Sequence, residues 1–222
     1  IGHTRQKYNL TDTYFIICNQ FWRHKNHLVV LEALKEITAV DVHIVLTGEM
    51  NDTRWPDYIS DLQEALDHPK VRHNVTLTGR IDREEQLKLL LGASGFVQPR
   101  QFVGWSTFVV EARGIGLPGL LSDIPVHREL SPRGAIFFDA KDSNDLAEKL
   151  TNLASDPPPK IDLATAKTAH EEYVLKAARV FLDIAKDAEA RYEASKHDAG
   201  SAMLQSSIIV CEETAALEKN PS

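Results

Sequence analysis

Two polar stretches carry side chains able to hold a phosphate. Asn19-Gln20-Phe21-Trp22-Arg23-His24-Lys25-Asn26 sets two cations, Arg23 and Lys25, between a β-rich run and a helix-patterned segment. The amides at a helix start already favour an anion, and cations beside them add charge-assisted contacts. The second stretch, Pro99-Arg100-Gln101-Phe102-Val103-Gly104-Trp105-Ser106-Thr107, runs into Phe108-Val109-Val110-Glu111-Ala112. Gly104 permits close backbone approach. Ser106 and Thr107 fall at a helix start, where their amides can cradle phosphate. Glu111 lies about a turn further in, and its two oxygens can accept both hydroxyls of a ribose. Ser122-Asp123-Ile124-Pro125-Val126-His127-Arg128-Glu129 is a third polar stretch, again just after an apolar run. Plain readings stay open beside these: solvated surface cations for the first stretch, an ordinary N-terminal helix glutamate for Glu111.

Other chemistries find less support. Gly114-Ile115-Gly116-Leu117-Pro118-Gly119 spells a dinucleotide fingerprint, but its glycines end a helix and lead into a strand. The fingerprint must do the reverse, so a helix C-cap and tight turn account for it better. His24 and His27 lack further metal ligands nearby in sequence, and no D-x-D, P-loop or G-x-S-x-G elbow occurs. Cys18 and Cys211 give neither a disulfide framework nor zinc spacing, and Cys18 reads as a small buried hydrophobe.

The elements that position these stretches alternate. Strands are expected over 13–18, 41–47, 74–77, 93–98, 119–122 and 135–138. Helices are expected over 25–37, 57–66, 82–91, 107–114 and 145–153, with Asp82 and Ser143 as caps. Strands and helices at this spacing imply crossover connections and an α/β, Rossmann-like, doubly wound parallel sheet. Ligands of such sheets bind beyond the carboxyl ends of the strands, where the two stretches lie. From 161 the texture changes to Ala, Lys, Glu and Asp. The expected organisation is a Rossmann-like domain over 1–160, closing C-terminal helices over 161–194, and a surface helix or flexible tail over 195–222.

The chain has 222 residues, 43% hydrophobic and 26% charged, with a net charge of −7. That suits a soluble globular protein and argues against a general nucleic-acid or anionic-membrane binder. No apolar run approaches transmembrane length. The first residue is Ile1, with no secretory signal following, so a fragment or processed product and a cytoplasmic location are expected.

Taken together, the stretches resemble the donor-binding, C-terminal half of retaining GT-B glycosyltransferases of the group 1, family-four type. The resemblance runs from about Tyr14 to Leu150. It rests on Lys25 after the first strand, the 43–48 strand ending in Gly48, 75–79, Ala93-Ser94, Pro99, Gly104, Glu111-Ala112, Gly116-x-Pro118 and the 122–129 block. The wording of the 19–27, 104–107 and 122–129 blocks looks most like bacterial mannosyltransferases of lipopolysaccharide or capsule assembly, hence of polysaccharide biosynthesis.

The resemblance implies a nucleotide-sugar donor, such as GDP-mannose, and transfer of a hexose to a glycan acceptor. It implies no cofactor and no metal. Lys25 would bind the diphosphate, Ser106 and Thr107 would offer it amides, Glu111 would bind the ribose, and Gly79-Arg80-Ile81 would lie against the base. Lys25 and Glu111 are the catalytic candidates. Gln20, Arg23, Val103, Gly104 and Trp105 complete the donor-binding set. Two positions depart from the family pattern: Val103 stands where an acid is usual, and Gln20 where an arginine is usual. Compensation would fall to Arg23 or Arg100. The acceptor site would belong to an N-terminal domain absent from this chain, so the isolated chain is expected to be inactive. No nucleic-acid partner is expected, and the full-length enzyme is compatible with peripheral membrane association. The alternative is a degenerate, non-catalytic GT-B-like domain serving as a scaffold or interaction module.

Overall fold

A computed structural model describes residues 2–132, 134–158 and 162–218, with the backbone alone at 163 and 197–218. The strands are β1 (Phe15–Cys18), β2 (Ile44–Thr47), β3 (Val75–Gly79), β4 (Gly95–Gln98), β5 (Gly119–Ser122) and β6 (Ile136–Phe138). The helices are α1 (Gly2–Lys7), α2 (His27–Glu36), α3 (Pro56–Asp67), α4 (Pro69–Arg72), α5 (Arg83–Gly92), α6 (Thr107–Gly114), α7 (Pro125–Leu130), α8 (Ser143–Ser155) and α9 (Leu163–Glu218).

All strand pairs are parallel, in the order β3-β2-β1-β4-β5-β6. The order reverses between β1 and β4, which is the switch point of a doubly wound sheet. Near-continuous apolar runs form the central strands because both faces are covered: every residue of β1, β2, β4 and β5 is buried. The core packs Phe15, Ile17, Ile44 and Leu46 against Val30, Leu31 and Leu34 of α2, Leu62 of α3, and Leu146 and Leu150 of α8.

Several local expectations shift. Lys25 does not open α2. It ends a short 3-10 turn, Arg23–Lys25, and Asn26 at φ 59° separates that turn from the helix. Ser143 is the first residue of α8, not its cap; Asp142 caps by accepting the amides of Asn144 and Asp145. Asp82 caps α5 as expected, accepting the Glu85 amide. The polar block 122–129, read only as a loop, contains α7, whose Pro125 suits a first turn. The glycine fingerprint does close α6: Gly116 sits at φ 67°, and a Cβ on Gly119 would lie 2.3 Å from the Phe96 ring. Cys18 is buried, and its thiol is raised to about 11 by desolvation.

The chain divides into two compact units, one over 1–170 and one starting at Glu171. In the second, α9 continues as a single helix to Glu218, with Val174, Phe181 and Ile184 exposed. The surface helix or tail expected over 195–222 falls on the end of α9 up to Glu218, and 219–222 lie outside the described residues. Among the described residues no helix is long and apolar enough to cross a membrane.

Candidate functional site

A cleft of about 360 Å³ opens beyond the carboxyl ends of the central strands. Cys18 and Asn19 after β1, and Thr47 and Gly48 after β2, form its floor. Gly48 is essential to this shape: its φ is 122°, and a Cβ there would stand 2.2 Å from the Asn19 carbonyl oxygen. Only a residue without a side chain lets the two strand ends close up.

Lys25, Arg80 and Arg100 are the charged residues of the lining, and no carboxylate joins them. Lys25 is half-buried, and its ammonium is lowered to about 8, first by desolvation and then by the charge of Arg100. It also lies 5.4 Å from the centre of the Trp22 ring, another wall residue. Arg80 is exposed at the rim, 3.9 Å from Glu49. Gln20 turns its Oε1 to accept the Glu49 amide at 2.9 Å. Ile81 and Gln86 close the side formed by the start of α5. Gly79 borders a second, more apolar hollow with Phe21, Met50 and Leu77. Cations without acids, beside polar amide side chains, make this a place for a multiply charged anion.

Among the sequence candidates, Gln20, Lys25, Arg80 and Ile81 thus meet in one cleft. Arg23 does not join them; its guanidinium packs 4.5 Å from the centre of the exposed Trp55 ring. Val103 to Thr107 lie outside the cleft walls. Val103 is buried, Gly104 and Trp105 are exposed, and Thr107 begins α6 with Ser106 as its N-cap. Ser106 is buried, yet its hydroxyl makes no capping bond and has no partner. Glu111 is bound by both its oxygens to Arg83 at the start of α5, each contact 3.0 Å. It still borders the cleft floor electrostatically, because its charge raises the Cys18 thiol while Arg83 lowers it.

Arg100, expected only with Arg23 as compensation for Gln20, and Asn19, not expected as a donor-binding residue, belong to the cleft. The available signal was positional: both follow the carboxyl ends of strands that flank the switch point. Among the described residues no three His, Cys, Asp or Glu side chains gather as a metal set.

Residues 3–171 match the family described as glycosyl transferases group 1. The chain is 24% identical over 146 residues to the O-antigen chain mannosyltransferase RfbU of Salmonella typhimurium, covering 66% of this chain and 40% of that protein. A crystal structure of Anabaena HepE in complex with UDP and glucose superposes with a TM-score of 0.62 at 15% identity, over 78% of this chain and 51% of that one. Sucrose-phosphate synthase from Thermosynechococcus elongatus gives a TM-score of 0.63 at 19% identity, over 83% and 49%. The structural likeness establishes a shared fold. The chain spans about 40% of the curated relative it matches and about half of each solved structure.

Proposed function

This chain belongs to the glycosyl transferases group 1 family, and from that premise we propose that it is the donor-binding half of a retaining GT-B glycosyltransferase. The observation that carries the reading is the cleft at the switch point, whose charged residues are all cations. The donor is a nucleoside-diphosphate hexose. Its diphosphate sits against Lys25, with the α6 amides at Ser106 and Thr107 beside it and the base toward Gly79-Arg80-Ile81. Glu111, presented by Arg83, takes the ribose hydroxyls. The family resemblance, rather than the cleft lining, assigns Val103, Gly104 and Trp105 to the sugar side. Mannose from GDP-mannose is the favoured donor because the relative RfbU is named a mannosyltransferase. The acceptor is a glycan held by residues outside this chain.

Catalysis on this reading is electrostatic. As the glycosidic bond breaks, negative charge builds on the leaving diphosphate. A fixed ammonium and helix-end amides stabilise that charge without having to reorganise. The isolated chain supplies only this half, so it binds nucleoside diphosphate weakly and transfers no sugar.

The test is calorimetric titration with GDP, UDP and ADP, followed by their sugar conjugates. One diphosphate should bind, and Lys25→Ala should weaken it roughly 10- to 150-fold, the worth of one charge-assisted contact. Unchanged affinity in Lys25→Ala would remove the phosphate role. Sugar transfer by the isolated chain would overturn the two-part assignment.

A further inference from the structure

Arg100 is left without a role by that reading. It stands just past Pro99 beyond the end of β4 and is nine-tenths buried, yet it lines the cleft. Its Nε and Nη2 donate to the Asn19 Oδ1 at 3.1 and 2.5 Å, and Asn19 in turn donates its Nδ2 to the Gln98 Oε1 at 3.2 Å. These partners are neutral. Among the described residues Arg100 has no carboxylate in ion-pair contact. A buried guanidinium without an acid is costly to keep unless an anion comes to it.

Its position is also fixed. The Ser122 hydroxyl donates to the Arg100 carbonyl at 2.5 Å, and Asn26 donates to the Pro99 carbonyl at 2.9 Å. The Gln101 amide donates to the His24 carbonyl at 3.1 Å. The loop carrying Arg100 is thereby fastened to the loop carrying Lys25. Bonding to Asn19 through Nε and Nη2 leaves Nη1 for a ligand. The proximity of the two cations registers in Lys25, which the Arg100 charge helps to lower. The other nearby candidates are unsuited: Gln20 is neutral, Arg23 packs on Trp55, and Arg80 is exposed at the rim beside Glu49.

We propose that Arg100 is the second cation of the donor site, its Nη1 side contacting the diphosphate beside Lys25 in place of a cation at position 20. The inference rests on the donor-site reading and adds a residue to it. A nucleoside-diphosphate sugar carries two negative charges on its diphosphate, and Lys25 with Arg100 matches them one for one.

The experiment compares wild type, Arg100→Gln, Arg100→Lys and Lys25→Ala by calorimetry. The probes are GDP, UDP and their parent nucleosides. Arg100→Gln should weaken whichever diphosphate binds by roughly 10- to 150-fold and leave the nucleoside unchanged. Arg100→Lys keeps a charge but cannot grip Asn19 and a phosphate together, so it should fall between. Diphosphate affinity in Arg100→Gln within about twofold of wild type, with Lys25→Ala still weakened, overturns Arg100 and spares the site; the twofold limit is far inside the loss of one charged contact. If Arg100→Gln shows no cooperative melt, Arg100→Lys decides, and wild-type affinity there overturns the proposal. Absence of diphosphate binding by wild type overturns both the site reading and this inference.

Discussion

Lys25 titrates near pH 8 in the free protein because half-burial and the Arg100 charge both disfavour its ammonium. A diphosphate bound against it would favour the ammonium and raise that midpoint toward the ordinary lysine range. Binding then takes up a proton wherever free Lys25 is neutral. The protonated fraction of a group titrating at pH 8 is about nine-tenths at pH 7 and about one-tenth at pH 9. The dissociation constant of the diphosphate should therefore rise roughly tenfold across that interval. Proton uptake should climb from about 0.1 to about 0.9 per ligand bound. Calorimetry at each pH, in two buffers of different ionisation enthalpy, reads both quantities. Lys25→Ala should bind weakly with no such pH dependence, and Arg100→Gln should move the midpoint upward. The stability of the free protein should run the other way. The unfolded chain binds the lysine proton more tightly, so between pH 8 and 10.5 stability rises with pH. Allowing for solvent screening of a half-exposed ammonium, that gain is about 1–2 kcal/mol. A flat dissociation constant from pH 7 to 9, with no proton uptake at pH 9, would refute the assignment of Lys25 to the phosphate.

Two further outcomes concern the scaffold. His27 is fully buried, stacked 4.3 Å from Phe21 with neither ring nitrogen bonded, and desolvation lowers it to about 3. The unfolded chain gains its proton first, so stability is lost as pH falls from 6.5 toward 3; urea melts should show a loss of about 2–3 kcal/mol by pH 4.5 that His27→Leu lacks. Gly48→Ala should lower stability by about 2 kcal/mol or more, since strained φ and the Asn19 carbonyl both oppose a Cβ. It should weaken diphosphate binding as well, and a denaturation midpoint equal to wild type would show that the strand ends can part.

The alternation of apolar runs and helical patterns made the sheet legible, because a parallel sheet covered on both faces needs continuous apolar strands. All six strands lie where strands were expected, Phe15–Cys18, Gly95–Gln98 and Gly119–Ser122 among them. Boundaries were less legible where one residue's backbone decides them. Asn26 at positive φ detaches Lys25 from α2, and no spacing rule announces that. The short helices α1, α4 and α7 escaped because six residues or fewer fall well short of the roughly 11-residue window in which a helical period can be read. At the site, Lys25, Gln20, Arg80 and Ile81 were legible through their place after strands. The pairing of Arg83 with Glu111 was not, since it joins the first residue of α5 to the middle of α6, 28 residues on.

Arg100 marks the sharper limit. The sequence offered it only beside Arg23 as compensation for Gln20, and nothing in the sequence chose between the two. Its meaning comes from three facts that sequence distance hides: burial under the β1–β4 switch point, a neutral partner in Asn19, and the absence of an acid in the same cleft. Position 20 and position 100 are far apart in the chain, but they open onto one cavity because β1 and β4 are adjacent. On the proposed donor reading, a cation lacking at the first is supplied at the second. A neutral residue at position 20 is therefore weak grounds for a degenerate site. The count that matters is the charge lining the cleft, and that count is still positive.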